Sequence, residues 1–406
     1  MYLSLGSRSW WARDPGRPTL SQFWKQEGVR VTADAMQTNT IRSDSVLVAP
    51  VQEGTAQAGT AQAGTAQAGT AQAGTAQTNA ELAGQMDAGK VPARSGTGGG
   101  AVQSPVAAVT ARTITILLLA GPVVAVAVSV PLLWGRAVNL TDIILGVILY
   151  AITGHGLTVG FHRLFTHRSF EANRGLKIGL AVAGSMGVEG SVVSWVANHR
   201  RHHAHSDKVG DPHSPHILDE TAVGQLRGFI HAHVGWLLSP DLTSVERYAP
   251  DILRDRDLVA VGRMFPVLAI VSLAIPFGIG WAVTGTLVGA ISAFVWAGLV
   301  RMALLHHVTW GVNSICHMVG RRPFSTTDES RNVAALAVLS MGESWHNLHH
   351  AYPTSARHGV LRGQLDSSAR IIWLMEKFGW ATKVRWPAAA KVSALTVPAA
   401  PSSIAA

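Results

Sequence analysis

Long apolar runs alternate with polar, histidine-rich segments in the second part of the chain. The runs cover residues 113–134, 143–159, 264–283 and 287–305. An α-helix needs roughly 17–25 mostly apolar residues to cross the hydrocarbon core of a bilayer, so each run is long enough to span it. Short turns join the first run to the second and the third to the fourth. The pattern therefore predicts four transmembrane helices in two hairpins.

The polar segments outside the hairpins carry most of the positive charge. Lysine and arginine are dense in residues 162–256 and 321–370, whereas the two hairpin turns contribute only Arg136. Basic residues beside apolar spans are retained on the cytosolic side of a membrane. We therefore expect an integral, multi-pass protein, in the cell membrane if the source is bacterial. Its histidine-rich segments and both termini are expected in the cytosol.

The two ends of the chain differ from its middle. Residues 54–77 repeat the pentad G-T-A-Q-A and contain almost no large apolar side chain, so they cannot bury enough surface to offset the entropy of ordering. We expect residues 1–110 to be a disordered extension, residues 111–386 to form the membrane domain and residues 387–406 to be a disordered tail. Residues 176–188 are apolar but too short to span, which predicts an interfacial or buried helix.

The composition supports a membrane protein and argues against other classes. Hydrophobic residues make up 48% of the chain and charged residues only 14%, against about 25% charged in ordinary soluble domains. The formal net charge of +9 lies in the segments beside the spans, so we do not expect a nucleic-acid partner. A single cysteine, Cys316, excludes an intramolecular disulfide.

Histidines recur in three spaced patterns. H-x-x-H-H occurs at His199, His202 and His203 and again at His346, His349 and His350, and an H-x-x-x-x-H pair stands at His162 and His167. On a helix, offsets of three and four residues place side chains on one face. An offset of five does not, so the pair can converge only if its helix ends or bends.

Imidazoles crowded together are hard to explain as packing, because each either loses its proton or repels its neighbours. Metal ions remove this conflict by binding neutral ring nitrogens. Eight imidazoles exceed the needs of one four-coordinate ion, so the count favours two adjacent ions. Iron is favoured because imidazole suits it and it activates oxygen. Structural zinc is the alternative.

The same residues occur in motifs shared with a known family. G-F-H-R-L-F-T-H-R-S-F covers residues 160–170, W-V-A-N-H-R-R-H-H covers 195–203, T-W-G-V-N-S-I-C-H covers 309–317 and G-E-S-W-H-N-L-H-H-A-Y-P covers 342–353. In these motifs and their order the sequence resembles the integral-membrane acyl desaturases, the stearoyl-CoA desaturase family. The resemblance runs from about Gly156 to Pro353.

The resemblance implies an all-α membrane protein with four transmembrane helices in two hairpins and a cytosolic helical cap that holds a di-iron centre. It implies His317 as a ninth ligand and a water-mediated contact from Asn313. Asp211 and Glu343 are candidate partners of ligand imidazoles. The complete expected ligand set is His162, His167, His199, His202, His203, His317, His346, His349 and His350. Tyr150, Trp195 and Trp236 are candidates for the lining of a substrate tunnel.

The activity that the resemblance implies is the O₂-dependent insertion of a cis double bond into a saturated long-chain acyl group, with Δ9 as the expected position. The chain contains no His-Pro-Gly-Gly haem motif. We therefore expect electrons from a separate ferredoxin or flavin-containing NADPH reductase. Residues 239–243 contain no lysine or arginine where animal acyl-CoA desaturases carry basic residues for CoA. CoA, a phospholipid and acyl carrier protein all remain open as the acyl carrier.

Two other functions compete with desaturation. A di-iron alkane or fatty-acyl hydroxylase would use the same ligands but release an alcohol. A histidine-rich metal transporter would need polar or ionisable residues through its spans. Apart from His155, Arg263 and Arg301, such residues are scarce there.

Overall fold

The structure, a computed structural model, describes residues 138–398 and part of the apolar stretch before them, namely residues 113, 115–117, 120–124 and 127–128. The predictions for residues 1–110 and 399–406 fall outside the described residues. The regular elements of the described backbone are almost entirely helices, which confirms the expected helical class.

The described helices are α1 (Leu140–His155), α2 (Arg174–Ser185), α3 (Val192–His205), α4 (Ala222–His233), α5 (Val245–Tyr248), α6 (Pro250–Arg254), α7 (Arg256–Arg263), α8 (Phe265–Thr284), α9 (Leu287–Ala293), α10 (Arg301–Met318), α11 (His346–Ala351), α12 (Ser367–Lys377) and α13 (Ala389–Leu395). Gly156–Thr166 and Phe294–Val300 wind as π-helices, and Gly235–Leu238 and Ala334–Leu336 as 3₁₀-helices. Two short strands, β1 (Glu171–Ala172) and β2 (Ala381–Thr382), pair antiparallel.

Three helical stretches among the described residues are long and apolar enough to cross a membrane: Leu140–Thr166, Phe265–Thr284 and Leu287–Met318. They correspond to the second, third and fourth predicted spans. The first predicted span is described only in part, as the short apolar helix Thr115–Val124. The arrangement of four spans in two hairpins therefore stays a prediction. The last stretch has 32 residues and continues well past the predicted end at residue 305.

A minimal turn joins α8 to α9. Gly285 adopts φ +65°, a left-handed conformation that costs glycine little. Thr286 then caps α9, because its side-chain oxygen accepts a hydrogen bond from the backbone N–H of Gly289 at 3.1 Å. Together these two residues reverse the chain at the end of α8.

The π-helical stretch Gly156–Thr166 continues α1 and packs against α2, the helix expected from residues 176–188. The two backbones approach so closely at Gly156 that an added Cβ would lie 2.2 Å from the backbone nitrogen of Gly184. The π winding has a different residue spacing from an α-helix. The side chains of His162 and His167 consequently lie side by side, with ring centroids 4.8 Å apart.

Part of the expected C-terminal tail is ordered. Within residues 387–398, the structure has helix α13, and its Val392 is buried against Phe324 and Leu348. Leu348 belongs to α11, which carries the third histidine pattern. Helix α13 therefore completes an apolar cluster with α11, a contact that the low complexity of the segment did not predict.

The close approach at Gly156 predicts a measurable effect on stability. The variant Gly156→Ala should lower the free energy of unfolding by about 1–3 kcal/mol, because the added methyl group forces two packed backbones apart. The measurement is the thermal unfolding temperature in detergent. Gly179→Ala is the matched control, since nothing lies within 4 Å of its added Cβ and alanine favours the helix. Equal unfolding temperatures for the two variants would contradict the packing described here.

Candidate metal centre

The histidines of the three sequence patterns, together with His317, converge from four elements. His162 and His167 lie at the end of the π-helical stretch, and the first H-x-x-H-H lies on α3. His317 lies near the end of α10, and the second H-x-x-H-H lies on α11. Caps position these elements: Ser191, for example, begins α3 by accepting from the backbone of Ser194.

Five of the rings form a first group, in which all donor atoms lie within 4.8 Å of one another. This first group consists of His162, His167, His199, His203 and His349. Nε2 of His349 is 3.1 Å from Nε2 of His162 and 2.9 Å from Nε2 of His203. Nε2 of His167 is buried and has no hydrogen-bond partner among the described residues.

Four rings form a second group with the same spacing. The second group consists of His202, His317, His346 and His350. Nε2 of His346 is 3.1 Å from Nε2 of His317 and 3.0 Å from Nε2 of His350. Nε2 of His202 lies 3.4 Å from Nε2 of His350. His317, which the sequence patterns alone did not include, thus lies among histidines from both H-x-x-H-H motifs.

The two H-x-x-H-H motifs divide between the groups in opposite ways. On α3, His199 and His203 join the first group and His202 joins the second. On α11, His346 and His350 join the second group and His349 joins the first. The histidines that stay together are four residues apart, whereas the third lies about 60–100° around the helix from them and joins the other group. Each helix therefore contributes to both groups.

The spacing of the rings fits two metal ions. A metal–nitrogen bond to histidine is about 2.1 Å long, so two neighbouring ligands at a right angle lie about 3.0 Å apart. The Nε2 atoms of both groups have this separation. Hydrogen bonds between rings do not explain it, because Nε2 of His349 faces two other Nε2 atoms at once. The donor set, five and four imidazoles, suits iron, zinc or another imidazole-binding metal.

Carboxylates hold the opposite ring nitrogens. The Nδ1 atoms of His202 and His317 lie 2.9 Å from Asp211 and 2.8 Å from Asp207, respectively. The two remaining pairs are His162 with Glu343 and His350 with Asp328, each at 2.6 Å. A proton on Nδ1 leaves the Nε2 lone pair free for a metal. These contacts orient four rings and select the tautomer that a metal needs.

Asp211 and Glu343 are the two acidic residues expected from the sequence as partners of ligand imidazoles, and each lies beside one. Asp207 and Asp328 were missed. Asp207 lies 110 positions from His317, so spacing along the chain carries no signal for their contact. Asp328 lies in the polar segment just before α11, and only its place between two histidine motifs could have marked it.

Burial keeps the imidazoles of His199, His203, His349 and His350 neutral. It lowers the pKa of His199, His203 and His349 well below the ordinary value, and neighbouring imidazoles lower it further. Burial also brings the pKa of His350 to about 4. These rings are therefore unprotonated at pH 7, which is the form that binds metal.

The carboxylates beside the rings are kept ionised even though they are buried. Burial by itself would raise the pKa of Asp211, but the charge and hydrogen bond of His202 outweigh it and the pKa falls below the usual range. Burial and His317 compete in the same manner at Asp207, whose pKa is also lowered. Both side chains are thus ionised acceptors for Nδ1–H groups.

Glu343 is fixed by a second layer of buried charge. Arg163, which is fully buried, contacts Glu343 at 3.1 Å and Asp366 at 3.0 Å through Nη2. His358 approaches the other Glu343 oxygen at 3.3 Å. Sequence reasoning assigned no role at this centre to Arg163, Asp366 or His358. The cation compensates for two buried carboxylates and so holds Glu343 beside His162.

Two cavities meet beside the histidines. They share the lining residues Trp195, His199, Thr309 and Asn313, and the larger has a volume of about 780 Å³. The smaller is lined mostly by apolar side chains, including Leu157, Leu305, Val308, Val312, Leu339 and Met341. A slender apolar molecule in these cavities would pass directly over the first group.

The structure places the predicted tunnel residues at or near these cavities. Trp195 stacks on His199 with ring centroids 5.2 Å apart, and Trp236 lines the larger cavity. Tyr150 is not among the lining residues, but its hydroxyl donates to the carbonyl oxygen of Leu339 at 2.8 Å. Tyr150 therefore supports the wall of the smaller cavity.

Comparison with known proteins adds independent evidence. The sequence model of the fatty acid desaturase family matches residues 108–372. Hex-5-enoyl-acyl-carrier-protein acetylenase of Moorena producens is 38% identical over 275 residues, which cover 67% of this chain and 86% of that protein. An sn-1 stearoyl-lipid 9-desaturase of Anabaena variabilis is 37% identical over 59% of this chain and 82% of its own length.

A third relative is named for a different acyl carrier and a different double-bond position. Acyl-CoA C20 Delta5-desaturase of Anemone leveillei is 37% identical over 59% of this chain and 72% of that protein. The family match covers more than half of the chain and includes every histidine of both groups. On this evidence the chain belongs to the fatty acid desaturase family and is an oxidoreductase.

Proposed function

We propose that this protein is a membrane fatty acyl desaturase that uses two iron ions and O₂ to place a cis double bond in a saturated long-chain acyl group. The observation that carries the proposal is the pair of imidazole groups beside an apolar cavity. Base chemistry cannot remove hydrogen from unactivated methylenes, so the reaction requires the oxidising capacity that bound metal ions would supply with O₂.

The proposed ligands of one ion are the five histidines of the first group, and those of the other ion are the four histidines of the second group. Asn313, which lines both cavities, is the proposed water-mediated contact. Bound iron supplies the capacity to activate O₂. Overall, two hydrogens leave neighbouring methylenes and O₂ is reduced to two waters, which consumes two electrons and two protons from an external donor. A ferredoxin or a flavin-containing NADPH reductase is the proposed donor.

The protein's own side chains orient the ligand imidazoles and position the acyl chain. The four carboxylates keep protons on Nδ1, so that Nε2 faces the ions. Trp195, held by its hydrogen bond to Glu189 at 3.2 Å, forms a flat wall over His199 against which an acyl chain can lie. The apolar smaller cavity receives the methyl end and excludes water. Position along this path determines where the double bond forms.

A Δ9 position is proposed because two relatives, one from Anabaena variabilis and one from Arabidopsis thaliana, are named as 9-desaturases. We also propose that the histidines and both chain termini face the cytosol, because the basic residues lie in the segments that carry the histidines. Residues 111–386 are the proposed membrane domain, which includes nearly all of the family match.

Removal of one ligand tests the catalytic assignment. His202→Ala removes an imidazole from the second group, so unsaturated product should be lost while the chain still inserts into membranes. The measurement is gas chromatography of fatty acids from a desaturase-deficient host, with membrane fractionation for insertion. Wild-type protein should restore unsaturated fatty acids. Unsaturated product from the His202→Ala variant would contradict the assignment, and an alcohol from the wild-type protein would favour a hydroxylase.

Removal of one carboxylate tests the role of the outer partners. Asp328→Asn weakens the acceptor that holds Nδ1 of His350, so we expect metal affinity to fall by about 10–100-fold. The measurement is the iron content of purified protein during titration with a chelator. Asp257→Asn is the matched control, because the carboxylate of Asp257 pairs with Arg174 and Lys177 rather than with an imidazole. Equal iron retention by both variants would rule out the proposed role of Asp328.

A further inference from the structure

The larger cavity reaches the surface through a rim of exposed apolar side chains. Val209, Leu242 and Ile217 line this cavity and have exposed fractions of 95%, 66% and 41%. Exposed apolar groups around an opening are typical of a surface that meets another apolar phase rather than water. The rim is therefore suited to contact with lipid.

The charges that line the larger cavity give it no excess of positive charge. Among the described residues its lining contains one arginine, Arg201, and no lysine. Arg201 donates to Asp241 at 2.5 Å, to the carbonyl of Gly210 at 2.8 Å and to Thr243 at 3.3 Å. Its guanidinium is thus already engaged. The acidic residues Asp211 and Asp241 line the same cavity.

This charge pattern is unsuited to a CoA thioester. Its phosphates carry about four negative charges at neutral pH, and proteins bind such groups with several arginine or lysine side chains. Lys208 is exposed next to Val209 in the chain but is not among the residues that line the cavity. A carrier whose linkage to the acyl group is uncharged fits the lining better.

The cavity also lies where helices enter the membrane. Its lining includes Phe265, the first residue of the spanning helix α8, and Thr115, the first residue of the short apolar helix. Nearby α4 exposes Val223, Leu226 and Ile230, which are spaced by three and four residues and form one apolar stripe. A helix with such a stripe lies in the membrane interface.

Trp236 offers a neutral hydrogen-bond donor in the lining of the same cavity. It lines the larger cavity and packs edge-on against His213, with ring centroids 5.2 Å apart. Its indole Nε1 is buried and has no hydrogen-bond partner among the described residues. An ester carbonyl oxygen is a suitable acceptor for this N–H group.

We propose that the acyl group enters while it is esterified to a membrane glycerolipid, with the ester beside Trp236 and the chain passing Trp195 toward the two imidazole groups. This inference rests on the proposed function and selects one acyl carrier for it. The apolar rim remains in contact with the bilayer, so the lipid need not leave the membrane to be processed.

Intact-carrier mass spectrometry tests this inference. Membranes from a desaturase-deficient host that expresses the full chain receive NADPH and isotope-labelled stearoyl groups in three separate arms: phosphatidylcholine vesicles, stearoyl-CoA and stearoyl-acyl carrier protein. We expect the label to become unsaturated first on the intact glycerolipid. Early unsaturated acyl-CoA or acyl carrier protein, with none on the lipid, would overturn the inference but leave the proposed function in place. Absence of unsaturated label from all three arms would overturn both.

A charge added to the rim gives a second, independent measurement. Leu242→Lys should lower conversion of the lipid substrate by about five- to tenfold, the loss equivalent to most of one leucine contact. Leu374→Lys is the control, because Leu374 is similarly exposed on α12 and does not line the cavity. An increase in activity with stearoyl-CoA in the Leu242→Lys variant, without loss on lipid, would show that the rim serves an anionic carrier.

Discussion

Buried imidazoles in mutual contact repel one another when they are protonated, and this constraint organises the site. Burial disfavours the protonated form of His199, His203 and His349, and neighbouring rings add to that effect. Carboxylates at the outer nitrogens of four rings then fix the tautomer. What remains at the centre is a set of Nε2 lone pairs about 3 Å apart, an arrangement that two metal ions would stabilise.

The π-helical stretch Gly156–Thr166 and a buried arginine position the rings of the first group. A π-helical stretch brings His162 and His167 together where a regular α-helix would separate them. The buried Arg163 compensates for the charge of Glu343 and Asp366, so that a carboxylate can stand beside His162 without exposure to water. Apolar cavities then pass the first group at His199, which links the charged interior to the hydrocarbon phase.

Family membership by itself leaves the acyl carrier open. The relatives are named for substrates on a lipid, on CoA and on an acyl carrier protein, although their identity to this chain differs little. The chemistry that separates these carriers lies at the cavity mouth rather than at the metal ligands. There, Arg201 is engaged by Asp241 and the rim is apolar, so the mouth offers a long acyl chain more contacts than it offers phosphate groups.

The sequence by itself determined the features that depend on local periodicity. Apolar runs located three spans, and i, i+4 spacing placed His199 with His203 and His346 with His350. Only the tertiary structure decided that His202 and His349 cross to the opposite groups, and that Asp207 and Asp328 meet His317 and His350. The tertiary structure also showed that residues 389–395 form helix α13, which the low complexity of the tail did not indicate. These contacts join residues far apart in the chain, and their energy comes from shared burial and charge pairing, which no local pattern records.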